Sequence, residues 1–207
     1  MPVLLRIIVA GMMVISSGWA WAQQSKATRE LLLLLPEPIS LRTAISQPIE
    51  GAVRTVLTPA RQTDFPGGAE TYSSDEFSKL GFSPATFVER ARAAADKRLA
   101  KLQPEYIRAD DGTVQYAVYR DDSGLMATLL SAPSLGRIFQ KIFGDKIWVA
   151  IPDRYALYVF PAKEESLTEF VPDLVDRYNN NPYAASPELF ELSKDESVPK
   201  VIAAFGS

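Results

Sequence analysis

KIWVAIPDRYALYVF, Lys146 to Phe160, is the stretch whose reading decides the fold. Lys146–Ile151 and Tyr155–Phe160 are two strongly apolar, aromatic runs joined through Pro152-Asp153-Arg154. Such runs predict strands covered on both faces, so this hairpin is expected at the centre of a sheet.

On the N-terminal side, Ser134 stands as the cap of a helix from Leu135 to Phe143. Ile138, Phe139, Ile142 and Phe143 are on its expected buried side, and Gly144 sits where a helix end calls for positive φ. Before it the apolar period is 2. Strands are expected at Glu105–Arg108, Val114–Arg120 and Leu125–Leu130, with turns at Asp110-Asp111-Gly112 and Asp121-Asp122-Ser123-Gly124. An antiparallel meander follows from that spacing. The four turn aspartates do not make a calcium site, because a seven-residue strand of roughly 23 Å holds the two turns apart.

The clearest helix starts at Ser83-Pro84, a cap followed by proline at the first helical position, and is expected to reach Leu102 ahead of Pro104. Val88, Ala91, Ala95, Leu99 and Leu102 give it one apolar face. Its charges alternate in sign and read as a solvated face. Beyond the hairpin, Ser166 and Glu169 have the spacing of a capping box for a third helix reaching Tyr178, which Pro172 kinks or divides. The tail from Tyr183 to Ser207 is expected to be partly ordered.

The order helix, three strands, helix, two strands, helix predicts an α+β fold: a single domain, a mostly antiparallel sheet and helices packed on one face. This domain is placed at 75–207. Residues 23–74 read as an N-terminal arm and loop: Leu31–Leu35 ends at Pro36 and Pro38, Ile49–Leu57 reads as a strand on the character of Val53, Thr55, Val56 and Leu57, and Pro66-Gly67-Gly68 marks a surface loop. Residues 1–22 read as a signal peptide, with Arg6, an apolar run from Ile7 to Ile15, and Ala20-Trp21-Ala22 before Gln23. Ser16, Ser17 and Gly18 interrupt the run before it attains the length of a membrane span.

Composition narrows the chemistry. The 207 residues include no cysteine and no histidine, which excludes nucleophilic triads built on histidine and zinc sites of the Cys and His kind. No cofactor and no metal are expected. Without Arg6 the chain carries 21 basic residues against 25 acidic, and no run concentrates the basic ones, so no nucleic-acid partner is expected. Nor is a stable membrane anchor expected once the signal is cleaved, which places the protein in the periplasm or outside the cell.

Phe143-Gly144-Asp145, the segment Ile147–Pro161, and Ser186-Pro187-Glu188-Leu189-Phe190 resemble the bacterial YtpQ-like family, a domain of unknown function. The resemblance spans about Ser83 to the C-terminus and implies an α+β domain, with no catalytic residue to carry over. Two function classes then stand against each other. A carboxylate hydrolase would draw on Asp145, Asp153, Glu164 or Glu165, with Arg154 orienting an anionic group. A binding module engaging an unknown envelope protein or ligand would use Trp148, Tyr155, Tyr158, Tyr116 and Tyr119. Tyr116 and Tyr119 differ in strand parity, so one of them points away from the core. The Ser197, Lys200 spacing, with Pro199 between, carries no weight.

Overall fold

The computed structural model describes residues 32–205 apart from Ser197, and only the backbone of Ser166. The signal-peptide reading of Met1 to Ala22 lies outside the described residues. In chain order the elements are β1 (Leu33–Pro38), a 3-10 turn (Ile39–Leu41), β2 (Gln47–Pro48), β3 (Thr55–Gln62), β4 (Ala69–Thr71), α1 (Ser74–Lys79) and α2 (Pro84–Leu99). Then come β5 (Glu105–Arg108), β6 (Val114–Arg120), a 3-10 helix (Met126–Ser131), α3 (Leu135–Ile138) and α4 (Gln140–Phe143). The chain closes with β7 (Lys146–Ala150), β8 (Ala156–Pro161), α5 (Glu165–Thr168), α6 (Val171–Asn180), β9 (Glu188–Ser193) and β10 (Lys200–Ala204).

These elements form an α+β fold whose strands pair antiparallel in two sheets. Six strands run in the order β10-β9-β7-β8-β6-β5, and β3 sits between β1 and β2 in the smaller sheet, with β4 also on it. The hairpin of β7 and β8 occupies the middle of the larger sheet, with Trp148 opposite Phe160 and Val149 opposite Val159. Its unbroken apolar character has a direct cause. Ile147, Val149, Leu157 and Val159 face the main core with α2 and the 3-10 helix, while Trp148, Ala150, Tyr158 and Phe160 face a second cluster with Leu167, Phe170 and Leu174. Most helices pack on the first face, and α5 and α6 cover part of the other.

Helix α2 begins as its sequence predicts. The Ser83 hydroxyl accepts the Thr86 N–H at 3.1 Å, Pro84 opens the helix, and Phe87, Ala91, Ala95 and Leu99 are buried at steps of three and four. It stops at Leu99, three residues before the expected end, and Leu102 packs at the margin of the core. Full enclosure of Phe87, Phe139, Phe160 and Phe190 contributes roughly 1.5–3 kcal/mol each.

Several elements differ from expectation. Leu125–Leu130 is not a strand; Met126–Ser131 is a 3-10 helix with all six residues buried. Burial on every side erases the periodicity that separates strand from helix. The Thr128 hydroxyl donates to the Leu125 carbonyl and the Ser131 hydroxyl to the Thr128 carbonyl, bonds that suit a helical turn. The meander is therefore incomplete: β5 and β6 form the expected hairpin, but β6 next pairs with β8. The Ser134 hydroxyl caps nothing, the expected helix divides into α3 and α4 at Phe139, and Ile138 and Ile142 face solvent. Gly144 does take positive φ, +91°. The third helix starts at Glu165, so Ser166 lies inside it, and Pro172 opens α6 after the break.

The stretch expected as an arm supplies, from Leu33 on, the whole four-stranded sheet. Leu32, Leu34 and Leu57 join the same core as α2 and the large sheet. Pro36 and Pro38 do not terminate the leucine run. Residue alternation along β1 turns both toward its open edge, where a missing N–H breaks no ladder bond. The tail forms β9, between β7 and β10, and at its start Glu188 enters the interior with a carboxylate oxygen that accepts the Val53 and Arg54 N–H groups at 2.8 and 3.0 Å.

Candidate functional site

On the second face of the large sheet, α6 stands over β6 and β8 and leaves a cleft of about 280 Å³. Its polar lining is Tyr116, Tyr158, Arg120, Arg177, Asp173 and Asp176. Phe160, Phe170 and Leu174 close the apolar side. Strand parity explains the two tyrosines. Tyr116 and Tyr158 project from neighbouring strands to the same side, their ring centroids 6.1 Å apart, and Phe170 meets the Tyr116 ring edge-on at 4.5 Å. Burial pushes both phenols above their ordinary value, so each is a hydrogen-bond donor at neutral pH.

Helix α6 supplies the rest. Asp173, Asp176 and Arg177 are spaced at i, i+3 and i+4 and share one side of the helix. Arg177 is anchored by Asp153, whose carboxylate accepts its Nε–H at 2.9 Å and its Nη2–H at 2.7 Å, and its guanidinium carbon stands 5.7 Å from the Tyr158 ring centre. Arg120, at the end of β6, pairs with Glu105 at 3.1 Å.

Of the five aromatic candidates, the cleft unites Tyr116 and Tyr158. Tyr119, of opposite parity to Tyr116, is buried in the main core against Phe139. Trp148 is half-buried in the aromatic cluster beneath α5 and α6 and does not line the cleft. Tyr155 packs edge-on against Tyr183 at 5.9 Å.

The candidate carboxylates are dispersed. Asp145 is exposed, and its Lys194 partner at 3.0 Å holds its carboxyl below the usual range. Asp153 is fully buried and engaged by Arg177 and the Tyr155 N–H. Glu164 and Glu165 are exposed where α5 begins.

Arg154, expected to be available to an anion, is enclosed. Its Nη1 donates to the Ala69 carbonyl at 3.0 Å and its Nη2 to Glu37 at 3.2 Å, fastening the β7–β8 connection to the small sheet. At Gly68 the loop packs closely on its neighbour: a Cβ there would lie 1.7 Å from the Ser123 carbonyl oxygen. No cluster of three or more potential metal ligands occurs among the described residues.

Sequence reasoning missed Arg120, Asp173, Asp176 and Arg177. The helical spacing of the last three was the available signal, but which side of α6 meets the sheet depends on the break before Pro172. No helix among the described residues is long and apolar enough to cross a membrane. No family model, curated protein or solved structure matches the chain.

Proposed function

We propose that this protein is an exported, cofactor-free binding module of the bacterial envelope that engages an envelope protein or ligand through the cleft under α6. One observation carries the reading: Tyr116 and Tyr158 meet in a concave space that also holds charged groups of both signs. Aromatic walls with a few convergent polar groups are the usual composition of a binding site. Export rests on the sequence of residues 1–22 alone. The resemblance to the YtpQ-like family belongs to the same proposal and lends no chemistry to it.

The experiment is capture of partners by the tagged full chain in its native host, with the N-terminus of the bait determined by mass spectrometry. A bait beginning at Gln23, with a partner that Tyr116→Leu no longer captures, is the expected result. A partner held equally by wild type and variant would move the interface off the cleft, and a bait retaining Met1 would overturn cleavage.

A carboxylate hydrolase is the second reading, favoured by one feature: Asp173 and Asp176 line the same cleft. Both rise from one helix, three residues apart, and so occupy one wall. In glycoside hydrolysis the two carboxylates flank the bond they cleave. Turnover of an envelope glycan or peptide that is lost in Asp173→Asn would establish this reading against the first.

A further inference from the structure

We propose that the cleft takes a small organic cation, an ammonium group on a compact apolar frame. This rests on reading the cleft as the binding site and names what that site prefers. The charge balance comes first. Each arginine at the cleft is already matched by a carboxylate outside its lining, Arg120 by Glu105 at 3.1 Å and Arg177 by Asp153 at 2.7 Å. Asp173 and Asp176 have no cationic partner within ion-pair distance among the described residues, and Asp176 accepts only the neutral Asn180 side-chain amide, at 2.7 Å. The uncompensated charge of the cleft is therefore negative. Both carboxylates are exposed, so an anion would meet a screened repulsion there and a cation a screened attraction.

The walls act in the same direction and independently of the charges. Tyr116 and Phe170 border the space, and aromatic rings attract cations through their quadrupoles, as the Tyr158 ring already does the Arg177 guanidinium carbon at 5.7 Å. The size fits a single head-group: about 280 Å³ lies just below the roughly 300–1,000 Å³ typical of drug-sized ligand pockets. Local roles account for part of the acidity, since Asp173 lies in the first turn of α6 and Asp176 binds Asn180 one turn on. They do not account for the grouping of rings around those carboxylates.

The test is a titration of the full-length protein, followed by the tyrosine ring resonances, with choline, N-acetyl-lysinamide, 3,3-dimethylbutan-1-ol and butyrate. The alcohol is the uncharged counterpart of choline. Saturable binding of choline or the lysine derivative, at least tenfold tighter than that of the alcohol and with butyrate inert, is the expected result. The stronger of the two cations distinguishes a quaternary head-group from a lysine side chain. The Asp173→Asn, Asp176→Asn double variant should lose that tenfold preference while still binding the alcohol, which shows the cleft intact.

Equal binding of alcohol and choline, or tighter binding of butyrate, would overturn the cation and leave the binding site standing. No saturable shift with any probe also overturns it. Capture by the Tyr116→Leu variant decides the binding reading separately.

Discussion

Asp153, with no exposed surface, holds Arg177 through two charge-assisted hydrogen bonds of 2.9 and 2.7 Å, and so joins the β7–β8 connection to the helix that roofs the cleft. The other carboxylate oxygen accepts the Tyr155 N–H at 2.8 Å, which fixes the side chain from within its own turn. Asp153→Asn keeps the shape and removes the charge. The Arg177 side chain retains 39% exposure, so water compensates its freed charge and the expected cost is about 2 kcal/mol, below the 3–5 typical of breaking a fully buried pair. Urea denaturation checks the stability. A choline titration of the same variant should show weaker binding, because the wall carrying Asp173 and Asp176 is then less firmly placed.

The Glu37–Arg154 pair behaves asymmetrically. Burial pushes the Glu37 carboxyl up and the Arg154 guanidinium down, although the two groups meet at 3.2 Å. For the carboxylate, burial thus outweighs attraction, and the protonated form suits the folded state better. With a raised folded value, its stabilising contribution is complete below the ordinary carboxylate range and is lost as pH rises through the folded value. Glu37→Gln should therefore cost less than about 1 kcal/mol at neutral pH, since the amide oxygen still accepts from Arg154. Stability should also respond less to pH above the ordinary carboxylate range. Arg154→Met leaves Glu37 buried and unpaired and abandons the Ala69 carbonyl, at a cost of about 3–5 kcal/mol. Denaturation of both variants at two pH values checks the contrast.

Local signals and tertiary demands divide what was legible. The Ser83 cap, the Asp-Gly turn before β6 and the apolar run around Trp148 are decided within a few residues, and each lies where its sequence places it. Met126–Ser131 was misread because it is enclosed from all sides, so no period marks its conformation. The small sheet was missed because its prolines read as terminators. Pro36 and Pro38 escape that role only on the edge strand β1. At the cleft, parity separated Tyr116 from Tyr119 in advance. The pairing of β6 with β8, which brings Tyr158 beside Tyr116, depends on strands about forty residues apart.

Two glycine positions test how tightly the connections are packed. Gly68 has φ +65°, and a Cβ there would stand 1.7 Å from the Ser123 carbonyl oxygen. Gly112, with φ +86° in the β5–β6 turn, has nothing within 4 Å of the same point. Gly112→Ala should cost about 1–2 kcal/mol, the strain of the left-handed backbone alone. Gly68→Ala adds a collision between backbones that cannot be relieved by a rotamer change, and should exceed about 3 kcal/mol. Thermal unfolding of the two variants side by side gives the difference directly. Equal losses would show that the Ser123 loop yields freely.

Tyr119 sets the alkaline limit. Burial in the core, reinforced by the nearby Tyr106 phenol, pushes its hydroxyl up to about 12 from an ordinary value near 10. The folded value is the higher one, so its contribution is fully present below about pH 10 and disappears as pH rises through 12. A shift of about two units corresponds to about 3 kcal/mol. Tyr119→Phe keeps the ring against Phe139 and removes the ionisable group. Wild type should lose stability steeply between about pH 10 and pH 12, and the variant should lose about 2 kcal/mol less over that interval, because the Tyr119 phenol is only half ionised at about pH 12 in the folded state. Tyr72, Tyr116 and Tyr158, whose phenols burial also raises, share the remaining loss with Lys146 and Lys194, raised by their bonds to Glu191 and Asp145. Urea midpoints at about pH 9 and about pH 11.5 check the difference; parallel curves for the two proteins would show that water reaches the Tyr119 hydroxyl in the folded state.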